Sequence, residues 1–135
     1  MALDILDPRV AFDHIRMAAA VAQGLPAKTI QRMAEQLAIP QERLSRAVNI
    51  PLRTLARRLK QRGPLPPDES ERLARLGRIV ARATEVLGGI ERARRWMMQK
   101  PQALGGKTPL DFTETEPGAR AVEDLLGRIE HGVVA

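Results

Sequence analysis

The 135-residue sequence predicts an all-α fold. Its apolar residues recur at intervals of three and four, the spacing that places them on one side of a helix. No run of four to eight residues alternates β-branched with polar residues, as half-buried strands do. Only one Trp, two Phe and no Tyr occur. The core must therefore consist of Leu, Ile, Val, Met and Ala, a mixture that packs helices well.

Four helices are predicted in the first half of the chain. The first begins at Pro8, with Asp7 as its N-cap, and ends at Gly24. One face of this helix carries four apolar residues: Phe12, Ile15, Ala19 and Ala22. The next three helices are bounded by prolines and by Asn49, a residue that tolerates the left-handed conformation of a tight turn. These three helices cover residues 26–39, 41–48 and 51–61.

The segment 63–67, Gly-Pro-Leu-Pro-Pro, cannot be helical and predicts a linker. A fifth helix follows, for which Asp68 and Glu71 form a capping box. It carries a heptad stripe of apolar residues: Leu73, Leu76, Val80, Ala83 and Leu87. Two heptads are too few for a coiled coil. This stripe is a candidate dimer surface, and it could equally be core within one chain.

Two further helices are predicted towards the C-terminus. One covers residues 90–99, and the other covers 116–131 with Thr115 as its N-cap. A glycine-rich connection joins them. Together with the linker, this pattern predicts two small domains, residues 1–64 and residues 65–135.

The excess positive charge lies entirely in the first of these domains. Residues 1–65 hold eleven basic and five acidic side chains, whereas residues 66–135 hold eleven of each. Within residues 43–67 there are seven basic side chains and no acid. Such a field attracts a polyanion, most commonly a phosphate backbone, although a solvated basic face remains the alternative.

Residues 44–60, LSRAVNIPLRTLARRLK, have the pattern of a helix-turn-helix. Leu44 and Val48 can pack inwards, Asn49 occupies the turn, and Ile50 enters the core. On the second helix, Leu52, Leu55, Ala56 and Leu59 cover one side. The predicted DNA-binding residues lie elsewhere on or just after this helix: Arg53, Thr54, Arg57, Arg58, Lys60 and Arg62. Of these, Arg53, Thr54 and Arg57 are expected to face base edges, and the others phosphates. An ordinary helical hairpin with a basic outer face is the alternative.

The sequence offers no catalytic group, metal site or cofactor site. The absence of cysteine excludes disulfides, thiol catalysis and Cys-ligated zinc. His14 and His131 lie far apart in the sequence with no ligand spacing around either. The segment 104–108, LGGKT, lacks the earlier glycine and preceding strand of a P-loop. The N-terminus does not resemble a signal peptide, and no apolar run is long enough to span a bilayer, so a cytoplasmic protein is expected.

Residues 25–132 resemble the Xre/MbcA/ParS antitoxin family. The resemblance rests on four stretches: RRLKQRGPLPPDESERLARLGRI, the ARRW at 93–96 followed by Pro101, ALGGKTPLDF, and GARAVEDLLGRIEHG. It implies an antitoxin with an N-terminal helix-turn-helix and a C-terminal toxin-binding domain. The implied partners are a RES-domain toxin that degrades NAD, operator DNA, and a second copy of the chain, with no membrane.

The candidate toxin-binding residues lie in the second domain: Trp96, Leu104, Gly105, Gly106, Pro109, Leu110, Arg128 and Gly132. Trp96 is also a candidate core residue, and Arg128 could form a salt bridge to Asp124. Two other functions stay open. The chain could be a plain dimeric helix-turn-helix repressor without a toxin, or a ligand-sensing regulator with a pocket near Trp96.

Overall fold

The structure, a computed structural model, describes residues 5–132. The remainder of the two predicted domains, residues 1–4 and 133–135, lies outside the described residues. No β-strand forms within residues 5–132, which confirms the all-α prediction. The helices of this range are α1 (Pro8–Ala11), α2 (His14–Gln23), α3 (Lys28–Leu37), α4 (Gln41–Ala47), α5 (Leu52–Gln61), α6 (Pro67–Leu87), α7 (Ile90–Met97), α8 (Pro109–Phe112) and α9 (Glu116–Glu130), with a 3-10 turn at Gln102–Leu104.

The first predicted helix is two helices. Asp7 caps α1 as predicted, but a second cap, Asp13, accepts a hydrogen bond from the Arg16 amide at 3.0 Å and starts α2. The change of axis alters which face is buried. Met17 enters the core, whereas Ile15 is 85% exposed, so the apolar face predicted for one long helix was wrong.

Helix α6 is the centre of the fold. It packs against α1, α2, α7 and α9. Four of the five residues in its predicted stripe are fully buried within this chain, and Leu87 is partly buried. The stripe is therefore intrachain core, and the alternative of a dimer surface was wrong.

The start of α6 also differs from the prediction. The helix begins at Pro67, with Pro66 as its N-cap and no side-chain cap. Proline fits the first helical position because its fixed φ suits the helix and its missing amide would be unbonded there. Asp68 consequently lies in the first turn, and the capping box with Glu71 does not form.

Helices α6 and α9 run in the same direction and are joined by ion pairs. Arg78 of α6 contacts Glu123 of α9 at 3.1 Å, and Arg82 contacts Glu130 at 2.6 Å. Because the later residue of α6 pairs with the later residue of α9, the two helices are parallel. The chain needs α7, the glycine-rich connection and α8 to return to the start of α6 before α9 begins.

The segment predicted as a linker is fixed against the first half of the chain. Leu65 is buried, and its amide donates to the carbonyl of Leu25 at 2.9 Å. The buried hydroxyl of Ser70 accepts from the Leu25 amide at 2.9 Å and donates to the Leu65 carbonyl at 3.3 Å. One continuous apolar core joins the two predicted domains. None of the described helices is long and apolar enough to cross a membrane.

Candidate DNA-binding and partner-binding surfaces

Helices α4 and α5 form the predicted helix-turn-helix. Asn49 adopts the left-handed conformation in the turn, with a φ of 52°. Leu44, Val48 and Ile50 are all buried, as the sequence predicted. On α5, Leu55 is fully buried and anchors the second helix against this core. The opposite side of α5 is consequently free to meet a partner.

Fewer residues of α5 are buried than the sequence predicted. Leu52 is 42% exposed and Ala56 is exposed, while Leu59 is only partly buried. Leu52 follows Pro51 at the first position of the helix, where the chain has just left the core. An apolar residue at the exposed start of α5 can contact a thymine methyl group if the helix enters a major groove.

The basic side chains of residues 43–67 divide into two groups. Five are exposed and form no ion pair within residues 5–132: Arg46, Arg53, Arg57, Lys60 and Arg62. Arg43 and Arg58 are instead paired with acids from elsewhere in the chain. Arg58 forms two hydrogen bonds of 2.9 Å to the carboxylate of Glu69, which raise the pKa of its guanidinium. Arg58 was predicted to contact phosphates, and the structure holds its charge in an internal pair.

Arg43 joins the helix-turn-helix to the C-terminal half. Its guanidinium is 12% exposed, and Nη1 lies 2.8 Å from Oδ1 of Asp111. Nη1 is not aligned for a hydrogen bond, so this contact is electrostatic. Nη2 donates to the Thr108 hydroxyl at 3.1 Å. The first helix of the motif is thereby tied to α8 and the residue before it.

Two more arginines cross the same boundary by bonding to backbone carbonyls. Arg72 of α6 donates to the carbonyl of Asn49, in the turn of the motif, at 3.0 Å. Arg94 of α7 donates to the carbonyl of Gln36, near the end of α3, at 2.5 Å. In the sequence, Arg43 belongs to the basic run, and nothing marks Arg72 or Arg94. The partners of these three arginines are 23 to 68 residues away, so no local pattern predicts the contacts.

The predicted partner-binding residues of the glycine-rich connection fall into buried and exposed sets. Leu104, Pro109 and Leu110 are buried in this chain. Gly105 and Gly106 are exposed, with φ of 66° and 80°, a left-handed conformation that favours glycine. Of these five residues only the two glycines are therefore accessible to a partner, and the buried residues hold the loop that carries them.

The remaining predicted partner-binding residues lie on α7 and at the end of α9. Trp96 is partly buried and packs against the core. Arg128 is exposed and forms no ion pair with Asp124 or any other acid in residues 5–132. It lines a shallow groove of about 550 Å³ together with Asp124 and Gly127. Gly132 is exposed.

Arg75 fixes the backbone between α8 and α9. This buried side chain donates to the carbonyls of Thr113 at 3.1 Å and Glu114 at 2.9 Å. These carbonyls lie where α8 ends, and the guanidinium satisfies them inside the protein. The burial of Arg75 could not be predicted from the sequence, because the apolar stripe of α6 gives no sign that an arginine beside it is buried.

Residues 5–132 contain no cluster of three His, Asp or Glu side chains suited to holding a metal ion. His14 and His131 are both exposed. The features that the described part of the chain offers to partners are an exposed basic helix and the exposed loop and helix end of its C-terminal half.

Two family models match the chain. Residues 16–78 match the Antitoxin Xre-like helix-turn-helix domain, and residues 82–132 match the Antitoxin Xre/MbcA/ParS C-terminal toxin-binding domain. Both matched regions meet within α6, so this one central helix supports both.

Curated relatives agree with the family models. The chain is 38% identical to Antitoxin Xre of Yersinia enterocolitica over 125 residues, which cover 92% of this chain and 80% of the relative. It is 33% identical to Antitoxin Xre of Photorhabdus laumondii over 84% of this chain and 77% of the relative. It is also 26% identical to the Prs ADP-ribosylating antitoxin of a Sphingobium species, over 85% of this chain and 78% of that protein.

Proposed function

Because the chain belongs to the Xre family of antitoxins, with a helix-turn-helix and a toxin-binding domain, we propose that it silences a RES-type toxin that degrades NAD and represses its own operon. In this division of labour, residues 1–64 bind operator DNA and residues 65–135 bind the toxin. The observation that carries the proposal is the presence, on one chain, of an exposed basic α5 and a separate matched toxin-binding domain.

The DNA-binding half of the proposal rests on α5. Arg53 and Arg57 are exposed on the side away from the buried Leu55, and no acid within residues 5–132 neutralises them. Arginine can bind guanine through two hydrogen bonds in the major groove. One motif of this size contacts few bases, so we propose a dimer that binds two half-sites, roughly 34 Å apart. Its interface lies outside the buried stripe of α6.

The toxin-binding half rests on the exposed residues of the second matched region. Gly105 and Gly106 expose backbone that a partner can approach closely, and Arg128 forms no ion pair within residues 5–132. We propose that the loop and the end of α9, with Arg128, cover the active site of the toxin. An antitoxin that occupies this site would exclude NAD by direct competition.

Two observations support a toxin that consumes NAD. RES-type toxins are implied by the Xre resemblance, and one relative is named for an ADP-ribosylating system. ADP-ribosylation and NAD degradation share one bond-breaking step, cleavage between nicotinamide and ribose. Both reactions use NAD as substrate, so an antitoxin that covers the NAD site suits either toxin.

Co-expression tests the toxin-binding proposal. The toxin from the adjacent reading frame is expressed with the full chain, with Arg128→Glu, or with a chain lacking residues 128–135, while growth and cellular NAD are measured. Arg120→Glu is the control for charge reversal on the same helix, since Arg120 is exposed and its ion pair with Glu116 is long, at 3.6 Å. We expect the wild type and the control to preserve NAD, and Arg128→Glu and the truncated chain to fail.

Operator binding by the same variants separates the two halves of the proposal. A truncated chain that still binds its operator but no longer protects cells supports separate surfaces. Full protection by a folded, truncated chain would place the inhibitory contact elsewhere. If the wild type neither binds a toxin nor changes NAD but still represses its operon, the chain is a plain repressor.

A further inference from the structure

A groove of about 780 Å³ runs between the helix-turn-helix and the C-terminal half. Arg46, near the end of α4, and Asn49, in the turn, form one wall. Lys107, Glu114 and Pro117 contribute to the other wall. Partly buried Phe112 also lines the groove. The lining thus comes from both matched regions of the chain, and most of it from the toxin-binding region.

Two arginines hold the walls of this groove. Arg43 is bound to Asp111 and Thr108, and Arg72 is bound to the carbonyl of Asn49. By contrast, four polar side chains of the lining form no ion pair or hydrogen bond within residues 5–132: Arg46, Asn49, Lys107 and Glu114. A preformed cleft with unused polar groups can bind a partner at low ordering cost.

The chemistry of the lining suits a protein segment better than a nucleic acid. Phe112 and Pro117 offer apolar surface, and Arg46 and Lys107 offer positive charge. Glu114 and the half-exposed Asp111 interrupt the positive charge of the groove, so the successive phosphates of a nucleic acid would meet carboxylates as well as cations. A peptide segment can place one carboxylate beside the cations and one apolar side chain on Phe112.

We infer that this groove receives an extended segment of the toxin that carries an acidic and an apolar side chain, so that the toxin contacts the helix-turn-helix as well as the C-terminal domain. The inference rests on the proposed toxin-binding function and deepens it, because Lys107 of the groove directly follows the exposed Gly106 in the chain. A toxin bound here touches Asn49, which lies directly before the DNA-reading helix. Toxin binding and operator binding therefore share the turn of the motif.

Charge reversal in the groove tests this inference. Purified full-length Arg46→Glu and Lys107→Glu are titrated with the toxin from the adjacent reading frame. Both replaced side chains are exposed and unpaired in the described part of the chain, so the fold is retained, which circular dichroism checks. We expect each substitution to raise the Kd for the toxin about tenfold or more, because a like charge replaces a complementary one. The matched control is Lys28→Glu, an exposed residue at the start of α3 that does not line the groove, which should leave the toxin Kd within about twofold, since separated charges are screened.

The outcomes separate this inference from the proposed function. If the wild type binds the toxin and Arg46→Glu and Lys107→Glu bind it equally well, the groove is not part of the toxin interface. If Arg46→Glu and Lys107→Glu weaken operator binding alone, the occupant is DNA and the inference is wrong. Failure of the wild type itself to bind the toxin would overturn the proposed function, and the inference with it.

Discussion

The Arg43 guanidinium and the Asp111 carboxylate lie 2.8 Å apart and join the first helix of the DNA-binding motif to the helix that follows the exposed glycine loop. Arg43 is 12% exposed, whereas Asp111 is 45% exposed. Water can therefore solvate the Asp111 carboxylate more easily than the Arg43 guanidinium if the contact is lost. Removing the acid leaves a nearly buried cation, while removing the cation leaves a carboxylate that water can reach.

This asymmetry predicts unequal costs for the two substitutions. Asp111→Ala should lower the free energy of unfolding by about 1–3 kcal/mol, because it leaves the Arg43 guanidinium with only the Thr108 hydroxyl. Arg43→Met keeps the apolar stem and should cost less. In urea unfolding, the double variant should be less destabilised than the sum of the single variants. Additive costs would show that the contact contributes little.

The exposed face of α5 predicts two kinds of effect on DNA binding. Arg57→Ala should cost about 1–3 kcal/mol of operator affinity and relax base preference, because Arg57 is assigned to a base edge. Lys60→Ala should weaken binding to all sequences alike and reduce the salt slope by about 1, because Lys60 is assigned to a phosphate. Fluorescence anisotropy with operator and scrambled duplexes at several salt concentrations measures both. Equal loss on both duplexes for Arg57→Ala would contradict its assignment to a base.

The pairing of Arg58 with Glu69 predicts that this arginine contributes little to DNA binding in the wild type. Arg58→Ala should therefore change the affinity for a scrambled duplex less than Lys60→Ala does. Glu69→Gln should release a positive charge and steepen the salt dependence by about 0.9 if Arg58 then reaches a phosphate. A large loss of affinity in Arg58→Ala would show that the pair opens when DNA binds.

The DNA-binding motif could be predicted from sequence because its signals are local. Prolines bound α4 and α5, Asn49 occupies the turn, and Leu44 and Leu55 alternate with exposed arginines at helical spacing. Each of these signals involves residues that are only a few positions apart in the sequence. The helix boundaries and the buried Leu44, Val48, Ile50 and Leu55 consequently follow from local rules, whereas the exposure of Leu52 and Ala56 does not.

The contacts that assemble the two halves could not be predicted in this way. Asp111 lies 68 residues from Arg43, and Glu69 lies eleven residues from Arg58 across a change of direction. A basic run in the sequence therefore overstates the free positive charge, since two of its seven cations are neutralised internally. The break between α1 and α2 was missed although its signal is local, because Asp13 accepts a hydrogen bond from the Arg16 amide and caps α2. The apolar spacing from Phe12 to Ala22 runs across this break and favoured a single helix.

The pair between Arg82 and Glu130 predicts a pH dependence of stability. Hydrogen bonds from Arg82 lower the pKa of the Glu130 carboxyl below its usual value of 4.5. The unfolded chain therefore binds this proton more readily than the folded one. The stabilisation is present above about pH 4.5 and is lost as the pH falls through the lower, folded-state pKa.

Thermal unfolding of the wild type and Glu130→Gln between pH 7 and pH 3 checks this prediction. The difference in Tm between the two proteins should be largest near neutral pH and should shrink in acid. Glu114→Gln is the control, because Glu114 forms no side-chain ion pair within residues 5–132. A difference in Tm that stays constant down to pH 3 would contradict a contribution from the ionised pair.

Two glycines of α9 predict opposite responses to the same substitution. Gly118 is buried in the first turn, where an added methyl group would collide with the carbonyl oxygen of Phe112. Gly127 is nine residues further along the same helix and has open space around the position of a Cβ atom. Gly118→Ala must therefore displace α8 from α9, and it should lower the free energy of unfolding by about 1–3 kcal/mol, as overpacking does.

Gly127→Ala should instead raise the free energy of unfolding by about 0.5–1 kcal/mol, because alanine favours a helix and nothing opposes its methyl group. Urea unfolding of both variants measures the difference. Because α8 contacts Arg43 and carries Phe112 of the groove, Gly118→Ala should also weaken toxin binding. Stabilisation by both substitutions would show that helix propensity outweighs the close contact at Gly118, and that α8 can move without cost.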